Sequence, residues 1–333
     1  MSVLDDFKII LVGDLHCKSS NIDETKKIFE YISIVAKKHS IKDVFLLGDL
    51  FDSHGIVHLP VVYCYKEIFE TYSDLNFFCL VGNHDYIVHG NRRHHSLLYY
   101  KKQSNVIIID SSDDDLFLYK NKSINFECMP HTNKEDFFEL IKKKKTDILL
   151  CHHTFLGAQY ENSFIAPDGI DSTCIDYLKI VSGHIHKTQN VQQVFYAGTP
   201  RWLSKSDANQ SKGIWLWDGL EKFKFLSTSS VCKEIFSVNI DENFNFDLVI
   251  DAKNKYILNV KGDKSFLEKV CNIYKEGCEI RHVPVDSKKI TVKESDGLEK
   301  SLENFVKNNY VPSYNINNQE LWNIIAQRLN NEK

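Results

Sequence analysis

The chain begins with a repeating pattern. A short, wholly apolar run is followed by apolar positions three and four apart, and then by another apolar run. "FKIILVGD" (7–14) has the unbroken apolar character of a strand covered on both faces. Asp23 is placed as an N-cap, and Ile28, Ile32, Val35 and Ala36 then predict one face of a helix. "DVFLLGD" (43–49) is the second strand. Pro60 suits a first helical turn, and Val61, Tyr65, Ile68, Phe69 and Tyr72 extend the apolar face behind it. "NFFCLVGN" (76–83) is the third strand. This βαβαβ order predicts a parallel sheet with helices on its faces. "TDILLCHHTF" (146–155), "LKIVSGHIH" (178–186), "VFYAGTP" (194–200) and "GIWLWD" (213–218) continue the strand pattern to about residue 220.

Past Thr228 the pattern changes. "IFSVNI" (235–240), "FDLVI" (246–250) and "KYILNV" (255–260), with a helix over Lys264–Tyr274, predict a small α+β domain. Two amphipathic helices are expected at the end, separated by a turn at Pro312. One carries Leu298, Leu302, Phe305 and Val306, and the other Leu321, Trp322, Ile325 and Leu329. The expected boundaries are 1–228, 229–294 and 295–333.

The polar residues that end the strands carry the candidate chemistry. In open α/β sheets ligands sit beyond the carboxyl ends of the strands. Those ends hold Asp14, His16, Asp49, Asn83, His84, His152, His184 and His186. Asp14-x-His16 and His184-x-His186 each put two side chains on one side of an extended backbone. With His84 set aside, two aspartates, one asparagine and four histidines make two overlapping coordination spheres. Mixed imidazole and carboxylate donors suit manganese, iron or zinc better than calcium. Glycines precede Asp14, Asp49, Asn83 and His184, where the chain must turn without a Cβ in the way.

Composition narrows the class. The chain is 43% hydrophobic and 26% charged with a net charge of −4, which fits a globular protein and argues against a stand-alone polyanion binder. The acidic opening "MSVLDDF" and the lack of an apolar run of about 18 residues point to a cytoplasmic protein without a membrane span. Nine cysteines with no C-x-x-C pair predict reduced, mostly buried thiols.

The series "VGDLH", "LLGDLFD", "LVGNHD", "LCHH" and "SGHIH" resembles the calcineurin-like metallophosphoesterases over about residues 7–220. The resemblance implies a four-layered αββα domain holding two divalent metal ions, manganese first, with magnesium, iron and zinc as alternatives. By position, Asp14, His16, Asp49 and His186 would hold one ion, and Asp49, Asn83, His152 and His184 the other. The doubled His152-His153 leaves two candidates, of which His152 leaves the strand first. His84 would protonate the leaving group after attack by an acidified water. Asp85 would orient His84 or cap the turn.

"GDLFDSH", "YAGTPRWLS" and "KGIWLWD" are similar to the SbcD-type DNA nuclease subunits, the short phage recombination exonucleases in particular. That resemblance implies an exonuclease on duplex ends and a single-strand endonuclease in recombination and repair. It also implies a small DNA-binding cap domain, an SMC-like ATPase partner of SbcC type and a homodimer of nuclease subunits in host or cell cytoplasm. Arg92, Arg93 and Arg201 are the DNA-binding candidates; Leu302, Phe305, Trp322 and Ile325 are the partner-binding ones. His54, His58, His94 and His95 are substrate-side candidates. The competing reading is a stand-alone metallophosphatase or cyclic-nucleotide phosphodiesterase on the same core.

Overall fold

The computed structural model describes residues 7–87, 94–110, 115–121, 124–274 and 276–283. The βαβαβ expectation holds. Strands β1 (Ile9–Val12), β2 (Asp43–Leu46) and β3 (Asn76–Leu80) pair in parallel, with α1 (Ile22–His39) and α2 (Leu59–Thr71) between them in the chain. β4 (Val106–Ile109) extends this side of the sheet. The second sheet is built from β5 (Phe117–Asn121), β6 (Ile124–Cys128), β7 (Ile148–Cys151), β8 (Lys179–Ser182), β9 (Gln189–Val191) and β10 (Val194–Tyr196), with α3 (Lys134–Ile141) preceding β7. β11 (Gly213–Trp217) and β12 (Phe223–Ser227) return to the first. The strand orders are β12-β11-β1-β2-β3-β4 and β5-β6-β7-β8-β10-β9.

Alternation along each strand generates the layers, because successive side chains point to opposite faces. Ile9, Leu11, Phe45, Leu47, Phe78, Leu80 and Trp217 face inward and meet Phe126, Leu150 and Val181 of the opposing sheet. Their neighbours Ile10, Val12, Val44, Leu46, Phe77 and Cys79 pack against α1 and α2 through Ile28, Phe29, Ile32, Tyr65 and Phe69. On the far side Leu149, Cys151 and Ile180 pack under Phe137 and Leu140 of α3. This is the αββα arrangement, with the strands buried on both faces as their apolar runs require.

Two local expectations change. α1 begins at Ile22 after Asn21, so Asp23 lies inside the first turn, where its charge still complements the helix dipole. "FDLVI" forms no strand, and Val249 is exposed. All nine cysteines are free thiols, and Cys17, Cys64, Cys79, Cys128, Cys151 and Cys232 are buried.

The chain divides into two compact units. The first holds the described residues up to Val238 with Val249–Ile257 and Gly277–Glu279; the second holds those of Asn239–Leu248, Leu258–Glu276 and Ile280 onward. A three-stranded sheet, β13 (Ile235–Ile240), β14 (Lys255–Lys261) and β15 (Cys278–Val283), accompanies α4 (Lys264–Ile273), which Asp263 caps through the Phe266 N–H. Arg92, Arg93, Leu302, Phe305, Trp322 and Ile325 lie outside the described residues.

Candidate metal centre

The carboxyl ends of β1, β2, β3, β7 and β8 deliver their polar residues to one place. Asp49 is the hub. Its Oδ2 lies 3.6 Å from His16 Nε2 on one side and 3.3 Å from His152 Nε2 on the other. Its Oδ1 accepts the His84 backbone N–H at 2.8 Å. On the first side His16 Nε2 faces His186 Nε2 at 3.0 Å. On the second, Asn83 Oδ1 lies 3.0 Å from His152 Nε2 and 2.7 Å from His184 Nδ1. Asp14 Oδ1 accepts the His184 N–H at 2.8 Å, whereas Asp14 Oδ2 is buried without a hydrogen-bond partner.

The backbone is bent to make this possible. His16, Asp49 and His184 have φ of 42°, 49° and 78°, a left-handed conformation that costs a non-glycine residue about 1–3 kcal/mol and collects at functional sites. The glycine at 82 is needed for close approach, since a Cβ there would lie 2.2 Å from Asp49 Oδ1. Gly48, itself at φ +102°, would drive a Cβ into the His152 ring at 2.3 Å.

Hydrogen bonds outside the cluster orient the rings. His152 Nδ1 donates to the Leu47 carbonyl at 2.7 Å, which turns Nε2 toward Asp49 and Asn83. Its neighbour His153 turns away to the Pro130 carbonyl at 3.2 Å. The structure thus places His152, and not His153, in the cluster. Burial holds the His16 and His184 imidazoles well below the usual histidine range. Burial also opposes a charge on His152, but the Asp49 carboxylate, then Asp14 and the Leu47 carbonyl, push it up to about 9. Burial likewise works to raise Asp49, yet His152, followed by His16 and His84, holds it well below the carboxylate range.

A divalent cation fits this donor set. Asp14 Oδ2 lacks a partner, two imidazole Nε2 atoms face each other at 3.0 Å, and buried carboxylates need a counter-charge. Two groups, His16–Asp49–His84 and Asp49–His152–His184, bring their ligand atoms within 4.8 Å of one another. Both contain Asp49.

His84 sits at the rim. Its Nδ1 donates to the Asp52 carbonyl at 2.8 Å, His54 stacks on it at 4.1 Å between centroids, and the His16 ring meets it edge-on at 4.7 Å. Asp85 does not orient it. That carboxylate is buried and accepts the Phe51 N–H at 3.0 Å and the Gly82 N–H at 2.9 Å, so it ties the GNHD turn to the Asp49 loop. Burial, reinforced by Asp49, pushes the Asp85 carboxyl up to about 7. Orientation of His84 falls to a backbone carbonyl, which no side-chain motif announces.

Arg201 is also corrected. It is 1% exposed, donates to Thr25 Oγ1 at 2.8 Å and the Asn21 carbonyl at 3.3 Å, and pairs with Glu24 at 3.4 Å. A guanidinium spent inside the fold is not available to a phosphate. His95 is likewise buried, 3.3 Å from Asp110, while His58 and His94 are exposed. His131 was not singled out by sequence. It donates to the His152 carbonyl at 3.0 Å and its ring lies parallel to His184, 5.8 Å away.

Residues 7–188 match a sequence model of the family described as calcineurin-like phosphoesterase. Exonuclease subunit 1 of Enterobacteria phage T4 is 24% identical over 230 residues, 63% of this chain and 64% of that protein. The DNA double-strand break repair protein Mre11 of Nanoarchaeum equitans (strain Kin4-M) is 24% identical over 181 residues, 53% of this chain and 48% of that one. Phosphoesterase 244L of Invertebrate iridescent virus 6 is 26% identical over 209 residues, 59% of this chain and 71% of that one. The match therefore spans less than two thirds of the length of the first two relatives. The family match alone takes in more than half of the 333 residues, and on it the chain belongs to the calcineurin-like phosphoesterases.

Proposed function

We propose that the protein is a divalent-metal-dependent DNA nuclease, acting on duplex ends and single strands as the nuclease subunit of a complex with an SMC-like ATPase in recombination and repair. The observation that carries the reading is the pair of donor clusters sharing Asp49, with the His84 ring at their rim. The relatives named as an exonuclease subunit and a double-strand break repair protein support DNA as the substrate.

Asp14, His16, Asp49 and His186 would hold one ion, and Asp49, Asn83, His152 and His184 the other, manganese being the expected metal. Such ions supply Lewis acidity toward a phosphodiester and acidify water. The residues do the rest. The Leu47 carbonyl keeps His152 Nε2 facing the cluster, and the Asp52 carbonyl keeps one proton on His84 Nδ1. The imidazolium form of that ring would carry a second proton on Nε2 to deliver to the departing deoxyribose oxygen, returning to the neutral Nδ1–H tautomer. Asp14 and Asp49 act as a fixed negative frame.

The small unit is read as the DNA-binding cap, and the segment 295–333 as the ATPase docking element. Arg92 and Arg93 remain the phosphate-contact candidates. A homodimer is supported by exposed Leu59 and Tyr63 on α2 beside exposed Leu98 and Tyr99, the Tyr100 hydroxyl reaching the Val62 carbonyl at 2.9 Å. The setting is the cytoplasm, that of the host for a phage-encoded chain; among the described residues no helix is long and apolar enough to cross a membrane.

The test uses the full chain on labelled linear duplex, single strand, an aryl phosphodiester and a cyclic nucleotide, with manganese, magnesium or chelator, and with and without the ATPase. Manganese-dependent cleavage of DNA, abolished by chelator and stimulated on duplex ends by the ATPase, is expected. Hydrolysis confined to the aryl ester or the cyclic nucleotide would overturn the nuclease reading in favour of a stand-alone phosphodiesterase.

A further inference from the structure

His186 is held by its peptide group as well as by its ring. Its N–H donates to Glu161 Oε1 at 2.9 Å, and its carbonyl accepts from Lys212 Nζ at 2.8 Å and from the Thr199 N–H at 3.2 Å. A carboxylate at the N–H and an ammonium at the carbonyl both match the direction of the peptide dipole. Lys212 is itself buried and ion-paired with buried Asp207, which also accepts the Leu203 and Ser204 N–H groups. Neither Glu161 nor Lys212 lies at a strand end that supplies a ligand.

Glu161 is not a chance surface contact. Its side chain is 17% exposed and sits on a hairpin closed by the Ala166 N–H on the Ala158 carbonyl and the Tyr160 N–H on the Phe164 carbonyl, both at 2.8 Å. The hairpin is clamped to the segment that follows His186. The Gln159 N–H donates to Gln189 Oε1 at 2.8 Å, Gln189 Nε2 donates to the Gln159 carbonyl at 2.6 Å, and Lys187 Nζ donates to Gln159 Oε1. Glu161 Oε1 also lies 3.6 Å from His186 Nδ1, the ring nitrogen turned away from His16. A carboxylate on that side favours a proton on Nδ1 and a free lone pair on Nε2. The other cluster has a support of its own in the Leu47 carbonyl on His152 Nδ1.

We propose that Glu161 is a positioning residue that sets the affinity of the cation site built on His186 and leaves the site built on His152 and His184 to its own supports. The inference rests on the metal assignment above, and goes beyond it by separating the two sites. The test is a calorimetric manganese titration of the full chain after chelator stripping, for wild type, Glu161→Ala and Glu161→Gln, with thermal melting of each. Two ions are expected in wild type. In Glu161→Ala one should bind as before and the other about 10–100-fold more weakly, the usual cost of losing an outer partner of a ligating histidine. Glu161→Gln keeps an oxygen for the His186 N–H and should recover most of that loss. Unchanged affinities in Glu161→Ala, or equal weakening at both sites with a lowered melting temperature, would refute the proposal while leaving the metal assignment standing. Wild type that binds no manganese would refute both.

Discussion

Replacing His84 by alanine separates the two roles open to its ring. The backbone N–H of residue 84 supports Asp49 Oδ1 at 2.8 Å, and alanine keeps that bond. What is lost is the ring, its bond to the Asp52 carbonyl and its stack on His54. One hydrogen bond at a half-buried position is worth about 1 kcal/mol, so the variant should fold. A proton donor to the leaving group typically contributes about 10²–10⁴ in rate, or roughly 3–5 kcal/mol of barrier. The expected result is wild-type manganese stoichiometry by calorimetry and single-turnover DNA cleavage slowed by that factor. A bis-nitrophenyl phosphodiester should be slowed far less, because nitrophenolate departs without a proton. The ring also falls in a donor group with His16 and Asp49, so the opposite outcome is well defined. Loss of an ion, or equal slowing of both substrates, would show that His84 is a ligand and would refute the proton-donor role.

Asp49→Asn keeps an oxygen for the His84 N–H but removes the charge between the clusters; it should fold, lose tight manganese binding at both sites and hydrolyse no substrate, and two tight ions by calorimetry would contradict the shared-ligand assignment. His152, pushed up to about 9, carries a proton near neutral pH, whereas burial keeps His16 and His184 neutral. Ligation requires its neutral form, so the ion on His152 should release about one proton, and its affinity should rise about tenfold per pH unit until about pH 9 and then level off. Titration in two buffers of different ionisation enthalpy measures this, and zero proton release near neutral pH would contradict it. Arg201→Met should destabilise the fold by about 2–3 kcal/mol in urea unfolding, discounted from the roughly 3–5 of a fully buried pair because Glu24 is partly exposed. Its DNA affinity and salt dependence should be unchanged, and a DNA-affinity loss at wild-type stability would restore Arg201 to the substrate side.

The sequence by itself determined what depends on near neighbours. Apolar runs mark β1, β2, β3, β7 and β8, and helical spacing marks the buried faces of α1 and α2, because burial leaves its period in adjacent residues. The rule that ligands gather at strand ends then selected the donor residues around Asp49, and they do converge. Only the tertiary structure decided what depends on partners far along the chain. His16 meets His186 across 170 positions, and Arg201 meets the Asn21 carbonyl across 180. An arginine after a Gly-Thr-Pro turn looks the same in sequence whether it faces solvent or the first turn of α1. His152 and His153 differ only in which of them the end of β7 aims at Asp49. Asp85 binds two backbone N–H groups, while His84 is oriented by a backbone carbonyl and His186 by a hairpin carboxylate. Backbone donors and acceptors are the same at every residue, so the contacts that hold Asp85 and His84 carry no residue signature until the chain is folded.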